Sequence, residues 1–348
     1  MEGLSSLMGS EHTSGLDRKT STGLQAIRFL AAFGVFVHHA LANAGFAKII
    51  PETYLESSRW TSSGVIMFFV LSGYLMAKIA DQATSPLRFL TDRALRVYPG
   101  LWMATGIVVL IHYSIWRTVF PPSLLIDLTL FPTSTRVAPL GVEWTLFFEA
   151  FFYCVVAALI LIPSLLVRKL LVLAWAVIVL LFGGGFSTDL TLAGIALSLL
   201  NLAFITGMFT WWLAPRLPFR GVAGAAASVV LFCAGRYLVS DYWLASYLIQ
   251  SVAFAVLITT AARSNYFDDR PLFPLLGDAS YGLYLIHSPL LAVCFVFVAP
   301  GWVSFFAVSA LVFAVSVGFG LLEYAFHQRL RSVRQKLPMG VRATTVSS

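Results

Sequence analysis

The chain has 348 residues, of which 59% are hydrophobic and only 11% charged, with a formal net charge of +7 and a mean hydropathy of +0.85. A soluble globular protein has about 25% charged residues, so that class is excluded, and the apolar excess excludes intrinsic disorder. The three cysteines lie in separate apolar runs without metal-ligand spacing, which excludes a disulfide scaffold and gives no indication of a metal site. The composition predicts an all-α, polytopic membrane bundle.

Apolar segments of about 20 residues, long enough for a helix to cross a bilayer, recur along the chain. We expect ten spans, at residues 24–46, 61–80, 98–116, 140–162, 169–185, 190–213, 221–239, 243–262, 275–298 and 302–325. They divide the chain into a mobile N-terminal tail (1–22), a transmembrane domain (23–327) and a basic C-terminal tail (328–348). The longest connection, residues 117–139, is compatible with an interfacial or re-entrant helix.

The distribution of the 23 Lys and Arg residues predicts the orientation. Most of them fall in one alternate set of loops and in the two tails, and short cytoplasmic loops collect basic residues. We therefore expect a multi-pass membrane protein with both termini in the cytoplasm and with lipids as partners. The same asymmetry explains the net charge, so we expect no nucleic acid partner.

The first predicted span carries an arginine and two histidines. His39 is eleven residues after Arg28, which places both on one helical face, with His39 about 16 Å deeper, near the bilayer midplane. A histidine at that depth is either a general base or a hydrogen-bonding partner between helices. The adjacent His38 suits the second, structural role better.

Two further motifs follow at the second and third predicted spans. In FFVLSGYLM, Ser72 and Gly73 are small enough to let two helices approach closely, which we favour over a nucleophilic role for the serine. In RALRVYPGLW, Arg93 and Arg96 share a helical face and can clamp phosphates. Lipid headgroups are the other ligand that such a pair can bind.

Polar residues also lie inside three later spans. Glu149 and Tyr153 in GVEWTLFFEAFFY are one helical turn apart, and a buried carboxylate requires a partner such as Arg28, His39 or a polar substrate. SYGLYLIHSPL places tyrosines and a histidine at three-residue steps: Tyr281, Tyr284 and His287. Asn201 is expected to hydrogen-bond between helices.

Taken together and in this order, the motifs resemble those of acyltransferase family 3, the integral membrane O-acyltransferases that modify bacterial polysaccharides. The resemblance extends from Gln25 to about Glu323 and rests on the Arg28–His39 spacing, FFVLSGY, the Arg93–Arg96 pair followed by YP, LGVEWTLFFEAFFY and SYGLYLIHSP. It implies a bundle of about ten helices that moves an acyl group, most often acetyl, from acyl-CoA to a sugar hydroxyl. The acceptor would be an exopolysaccharide, a lipid-linked glycan or a related glycan.

The resemblance also implies roles for individual residues. His39 would be the catalytic histidine, with Arg28 as its motif partner and Glu149 as the buried acid. The acyl-CoA would contact Arg93, Arg96, Ser72 and Tyr98, and the acceptor would contact Trp144, Tyr153, Tyr284 and His287. Asn201 stands where relatives often carry a glutamate, which leaves an acidic role there in doubt.

Acyl transfer to a hydroxyl requires a base and a donor that stabilises the oxyanion. We hypothesise that His39 is the base, that Glu149 orients it, and that Arg28 or Tyr284 stabilises the oxyanion. A covalent acyl intermediate on Ser72 or a histidine remains an alternative. A transporter or flippase, or a non-catalytic scaffold, would also place polar residues at the midplane. The small-residue run AGAAAS can pack helices within one chain or between chains, so the oligomeric state stays open.

Overall fold

The computed structural model describes residues 5–54, 58, 60–83, 85–133, 137–184, 190–239 and 241–336, with side chains from residue 22 to residue 334. These residues form helices and connections, without a β-strand. The long helices are α1 (Ser5–Phe46), α2 (Gly64–Gln82), α3 (Pro86–Trp116), α5 (Trp144–Ile160), α6 (Leu165–Phe182), α8 (Asn201–Leu213), α9 (Gly221–Tyr237), α10 (Trp243–Ala262), α11 (Leu272–Val296) and α12 (Trp302–Lys336). Two short helices, α4 (Leu124–Asp127) and α7 (Leu192–Ala196), lie in connections.

Each of the ten predicted segments overlaps one of these long helices, and the predicted all-α membrane fold is confirmed. Seven helical segments of the described chain are long and apolar enough to cross a membrane: Thr22–Phe46, Thr61–Gln82, Pro86–Trp116, Leu165–Phe182, Trp243–Ala262, Leu272–Val296 and Trp302–Arg334. Helices α5 and α9 are apolar but shorter. The count of ten spans is therefore not confirmed, and the placement of the termini stays a prediction.

Several boundaries differ from the predicted ones for local reasons. Helix α3 begins at Pro86 because proline suits the first helical position and the Ser85 hydroxyl accepts a hydrogen bond from the backbone N–H of Arg88. The predicted span 190–213 is broken between α7 and α8, where the buried amide of Asn201 donates to the carbonyls of Ile195 and Ala196. Asn201 thus bonds the carbonyl end of α7, as expected of a structural amide.

The ends of the chain and its longest connection also differ from simple expectation. Helix α1 already begins at Ser5 and α12 continues to Lys336, inside the segments predicted as tails, while residues 1–4 and 337–348 lie outside the described residues. In the described part of the connection 117–139, helical structure is limited to the single turn of α4. The mobility predicted for the N-terminal tail stays a prediction.

The bundle is organised around a few extensive helix pairs: α1 with α11, α11 with α12, α2 with α8, and α9 with α10. Helix α6 lies at the periphery, where most of its leucines are exposed, as expected of a helix that faces lipid. The AGAAAS run packs α9 against α10 within the chain, since the Ser228 hydroxyl donates to the carbonyl of Ala253 over 2.8 Å.

Two glycines set the approach of α2 to α8. A Cβ atom at Gly73 would overlap the carbonyl oxygen of Phe204, and one at Gly207 would overlap that of Val70. The backbones are therefore in direct contact at both positions, a geometry open only to the smallest residue. This explains the glycine of the FFVLSGYLM motif as a packing residue and leaves Ser72, the residue before it, free to line a cavity.

We predict that Gly73→Ala destabilises the protein by about 1–3 kcal/mol, because the added methyl group has to push α8 away from α2. Thermal unfolding in detergent measures the change. The matched control is Gly106→Ala on α3, where a Cβ meets no atom within 4 Å. This control should be neutral or stabilising by about 0.5–1 kcal/mol, since alanine loses less entropy in a helix. Equal behaviour of the two variants would contradict the close crossing.

Candidate functional site

A first cavity of about 380 Å³ opens where α1, α2, α3, α5, α11 and α12 meet. Its ionisable lining is dominated by cations: Arg28, Arg93, Arg96 and Arg331, with His327, against Glu149 and Asp278. We call it the basic cavity. It brings together Arg28, Ser72, Arg93, Arg96, Glu149 and Tyr153, which come from four separate motifs of the sequence.

Helical periodicity explains why these side chains converge. Gln25 and Arg28 are three residues apart on α1, as are Arg93 and Arg96 on α3. On α12, four polar residues occupy positions i, i+3, i+4 and i+7, which is one face of a helix: Tyr324, His327, Gln328 and Arg331. Each of these helices thus presents a polar stripe to the cavity.

The two arginines of the RALRVYPGLW motif differ in their surroundings. The guanidinium of Arg96 donates to both carboxylate oxygens of Glu323 at 2.9 and 3.0 Å, and it lies 4.7 Å from the ring centre of Tyr281. Glu323 is 1% exposed, so its charge depends on this partner. Arg96 therefore connects α3 to α12 and α11, and its guanidinium is occupied by the ion pair with Glu323.

Arg93 has no hydrogen-bond partner for its buried Nε among the described residues, and its guanidinium lies near the ring of Phe89 at 6.0 Å. Arg28 donates to the amide oxygen of Gln25 at 3.0 Å, and the Gln25 amide donates to Asp278 at 2.6 Å. No carboxylate bonds directly to Arg28 or Arg93 in the described part of the chain. The cavity accordingly keeps a positive charge available for an anionic ligand.

Glu149 lies on the wall of the basic cavity, where it accepts a hydrogen bond from the Tyr153 hydroxyl one turn later on α5. The pairing between Glu149 and His39 that the sequence suggested is absent from the described contacts. The groups bonded to the His39 ring are another histidine and a backbone carbonyl.

A second cavity of about 540 Å³ is lined by residues of α1, α2, α5, α9, α10 and α11, with Leu200 just before α8. We call it the histidine cavity, because His38 and His39 lie on its wall with Trp144, Arg236 and Trp243. Polar side chains opposite them are held by hydrogen bonds: the Ser63 hydroxyl donates to the Gln250 amide oxygen at 2.7 Å, and the amide nitrogen donates to Ser246 at 3.0 Å. Aromatic rings with fixed polar groups suit a polyhydroxylated ligand.

The two histidines of α1 have separate contacts. The His38 Nδ1 lies 3.0 Å from the carbonyl of Ser58, which supports its expected structural role. The His39 Nδ1 lies 3.0 Å from Nε2 of His287 and 3.1 Å from the carbonyl of Val35. His287 is fully buried and lines neither cavity, so the structure places it behind His39 instead of against a substrate.

The two cavities adjoin and share two wall residues, Val65 and Tyr284. On α1, Gln25 and Arg28 line the basic cavity, whereas His38 and His39 line the histidine cavity. The Tyr284 hydroxyl at the junction lies 2.7 Å from Thr145 Oγ1 and 3.1 Å from the carbonyl of Val142. A ligand that reaches from one cavity into the other has to pass these two side chains.

Of the remaining predicted site residues, one lines a cavity and one does not. Trp144 lies in the histidine cavity. Tyr98 lines neither cavity, and its hydroxyl donates to the carbonyl of Thr129 at 2.7 Å. Among the described residues, no group of three or more His, Cys, Asp or Glu side chains could hold a metal ion.

Sequence reasoning missed several residues of the site: Gln25, Gln250, Asp278, Glu323, His327 and Arg331. Arg331 was assigned only to the basic C-terminal region, although the i, i+3, i+4, i+7 pattern from Tyr324 would have indicated a polar face. No pattern in the sequence indicates that Gln250 faces Ser63, because that contact joins helices far apart in the chain.

Comparisons with known proteins give a consistent family. A family model described as an acyltransferase domain matches residues 21–321. The chain is 30% identical to the exopolysaccharide production protein ExoZ of Rhizobium meliloti, over 67% of this chain and 77% of that protein. It is 24% identical to nodulation protein 10 of Rhizobium leguminosarum, with coverage of 84% and 87%. It is 25% identical to the peptidoglycan O-acetyltransferase OatA of Listeria monocytogenes, over 81% of this chain and 51% of that protein. The chain thus spans about half the length of OatA. No solved structure matches this chain.

We predict that Glu323→Gln destabilises the protein by about 3–5 kcal/mol, because it leaves Arg96 without its counter-charge in a buried site. The matched control is Asp92→Asn, which removes a second ion pair between α3 and α12 among the described residues, Asp92 with Arg334. That pair is partly exposed, so its loss should change stability little. Unfolding in detergent measures both variants. A Glu323→Gln variant as stable as Asp92→Asn would contradict the anchoring role of Arg96.

Proposed function

The chain belongs to the acyltransferase domain family, and on that premise we propose that it is a membrane O-acyltransferase that moves an acyl group, acetyl in the first instance, from acyl-CoA to a hydroxyl of a glycan. One observation carries the proposal: a basic cavity and a histidine cavity meet at Val65 and Tyr284. The first suits a polyanionic donor, the second suits a sugar, and the junction is where their reacting groups meet.

The donor binds in the basic cavity. A CoA nucleotide carries several phosphate charges, and arginine is the side chain best suited to bind phosphate. Arg93 is the principal contact, because its Nε is buried without a partner in the described chain, and Arg28 and Arg331 add charge. Arg96 acts beside them by holding α3 to Glu323. The pantetheine arm extends past Ser72 toward the junction, which brings the thioester close to Tyr284.

The acceptor binds in the histidine cavity. Trp144 and Trp243 offer aromatic faces to a sugar ring, and Gln250 and Ser246 are already oriented by their mutual hydrogen bond. Two of the relatives are an exopolysaccharide production protein and a peptidoglycan O-acetyltransferase, which supports a glycan as acceptor in a bacterial inner membrane.

The chemistry is a direct transfer. His39 takes the proton of the acceptor hydroxyl, whose oxygen attacks the thioester carbonyl carbon, and the carbonyl oxygen becomes an oxyanion. The Tyr284 hydroxyl, or the Arg28 guanidinium, stabilises this charge. Collapse of the intermediate breaks the carbon–sulfur bond, and the CoA thiolate receives the proton held by His39. Glu149, bonded to Tyr153 in the basic cavity, shapes the donor side.

The two cavities give separable roles, which we test with acetyl-CoA in detergent-purified protein. Arg93→Ala should weaken acetyl-CoA binding about 10- to 100-fold, because it removes charged hydrogen bonds. His39→Ala should bind acetyl-CoA like the wild type. Its rate of acetyl-CoA turnover should fall about 10²- to 10⁴-fold, because the variant lacks the base. Calorimetry measures binding, and radiolabelled acetyl-CoA measures turnover.

The control for Arg93→Ala is Arg88→Ala, which removes an exposed arginine of the same helix that lines neither cavity. It should bind and turn over acetyl-CoA like the wild type. Full turnover by His39→Ala would overturn the assignment of the base. Failure of the wild type to bind any acyl-CoA would overturn the proposal that acyl-CoA is the donor. A transporter would then be the favoured function.

The junction offers a second test. Val65→Trp should fill the passage, so that acetyl-CoA still binds at the arginines while transfer falls by about 10²-fold, since a small misplacement of reacting groups is that costly. Val65→Ala is the control and should keep transfer, because it widens the same passage. Unchanged transfer in Val65→Trp would show that the donor and acceptor do not meet there.

A further inference from the structure

Two histidines from distant parts of the chain form a buried pair. His39 on α1 and His287 on α11 have ring centres 5.0 Å apart, with His39 Nδ1 and His287 Nε2 at 3.0 Å. His287 has 0% exposure, whereas His39 is half-buried on the wall of the histidine cavity. The inner ring is therefore shielded, and only the outer one can meet a ligand.

The protonation of the inner ring follows from its second contact. His287 Nδ1 lies 3.0 Å from the carbonyl oxygen of Leu283, one turn earlier on α11. A carbonyl only accepts, so Nδ1 carries the hydrogen and donates it. No carboxylate bonds to either ring in the described chain, and an unpaired buried cation is costly, so His287 is neutral. A neutral imidazole has one N–H, and its Nε2 is therefore an acceptor.

The outer ring is then fixed as well. Since His287 Nε2 accepts, His39 Nδ1 is the donor in their hydrogen bond. The carbonyl of Val35, 3.1 Å from the same nitrogen, requires the same arrangement. Two acceptors thus place the hydrogen of His39 on Nδ1 and leave the lone pair on Nε2, which has no partner among the described residues.

From this geometry we propose that His287 is a positioning residue, which holds His39 in its Nδ1–H tautomer and so makes Nε2 the basic atom. The proposal rests on the proposed function, in which His39 is the base. When Nε2 takes the acceptor proton, the positive charge that develops on His39 is shared through Nδ1–H with the lone pair of His287. The proton returns from Nε2 to the CoA thiolate, and the pair is restored.

A neutral partner suits this position physically. In serine hydrolases a buried aspartate orients the catalytic histidine, but a buried carboxylate in an apolar helical bundle would add a charge that has to be compensated. A second histidine supplies the same acceptor without that charge. The rings of Phe36 and Tyr284, each 6.0 Å from that of His287, pack against it.

The experiment compares three variants of the full-length protein. His287→Phe keeps a ring but removes the acceptor, and His287→Gln restores an acceptor of similar reach. The matched control is His112→Phe, because His112 also bonds through Nδ1 to the carbonyl four residues earlier, at 2.9 Å from Val108, yet lines neither cavity.

Transfer kinetics give the first readout. We expect His287→Phe to lower kcat about 10- to 100-fold, less than the loss of the base itself, with KM for both substrates unchanged because His287 touches neither cavity. His287→Gln should recover most of the lost kcat, and His112→Phe should match the wild type. Equal kcat in His287→Phe and the wild type would overturn the positioning role and leave His39 as the base. Loss of kcat in His287→Gln as large as in His287→Phe would also overturn it.

The second readout needs no activity. Two-bond nitrogen–proton correlation spectra of protein labelled with ¹⁵N-histidine, with His39→Ala to assign the signal, report which nitrogen of His39 carries the hydrogen. We expect Nδ1–H in the wild type and a larger Nε2–H fraction in His287→Phe. An Nε2–H signal in the wild type would overturn the inference. An inactive wild type with the Nδ1–H signal would count against the proposed function alone.

Discussion

A polar group inside a bundle of apolar helices costs free energy unless it is hydrogen-bonded or faces a cavity, and this constraint explains where each functional side chain lies. Glu323 is nearly inaccessible and is held by Arg96. His287 is fully buried and is bonded at both ring nitrogens. Arg93 and His39, by contrast, line cavities. The bonded groups hold the helices together, and the groups that face the cavities are the ones available for chemistry.

The same constraint separates two kinds of chemistry along one helix. Helix α1 presents Arg28 to the basic cavity and His39, eleven residues later, to the histidine cavity. A charged nucleotide is favoured where several arginines gather, and His39 lies outside that cavity. Tyr284 and Val65 form a wall that both cavities share. The basic cavity and the histidine cavity are therefore separate and adjacent.

Much of this could be predicted from the sequence. Hydropathy predicted the ten helical segments, because a bilayer requires long apolar runs, although in the described chain seven segments meet the length and composition of a span. The 3.6-residue period correctly grouped Arg93 with Arg96 and Glu149 with Tyr153. The period could not show that Arg96 is committed to Glu323, which is 227 residues away. The break before Asn201 was likewise missed, because hydropathy does not register a side chain that bonds the end of the preceding helix.

The sequence by itself determined the class of protein, the family motifs and the local helical faces, because these depend on composition and on residues a few positions apart. Only the tertiary structure decided which faces meet. It replaced Glu149 with His287 as the partner of His39, divided the polar residues between two cavities, and added Arg331 and Gln250 to their walls. The physical reason is that hydrogen bonds and cavities between helices depend on how the helices cross, and those crossings are set by contacts such as Gly73 against Phe204.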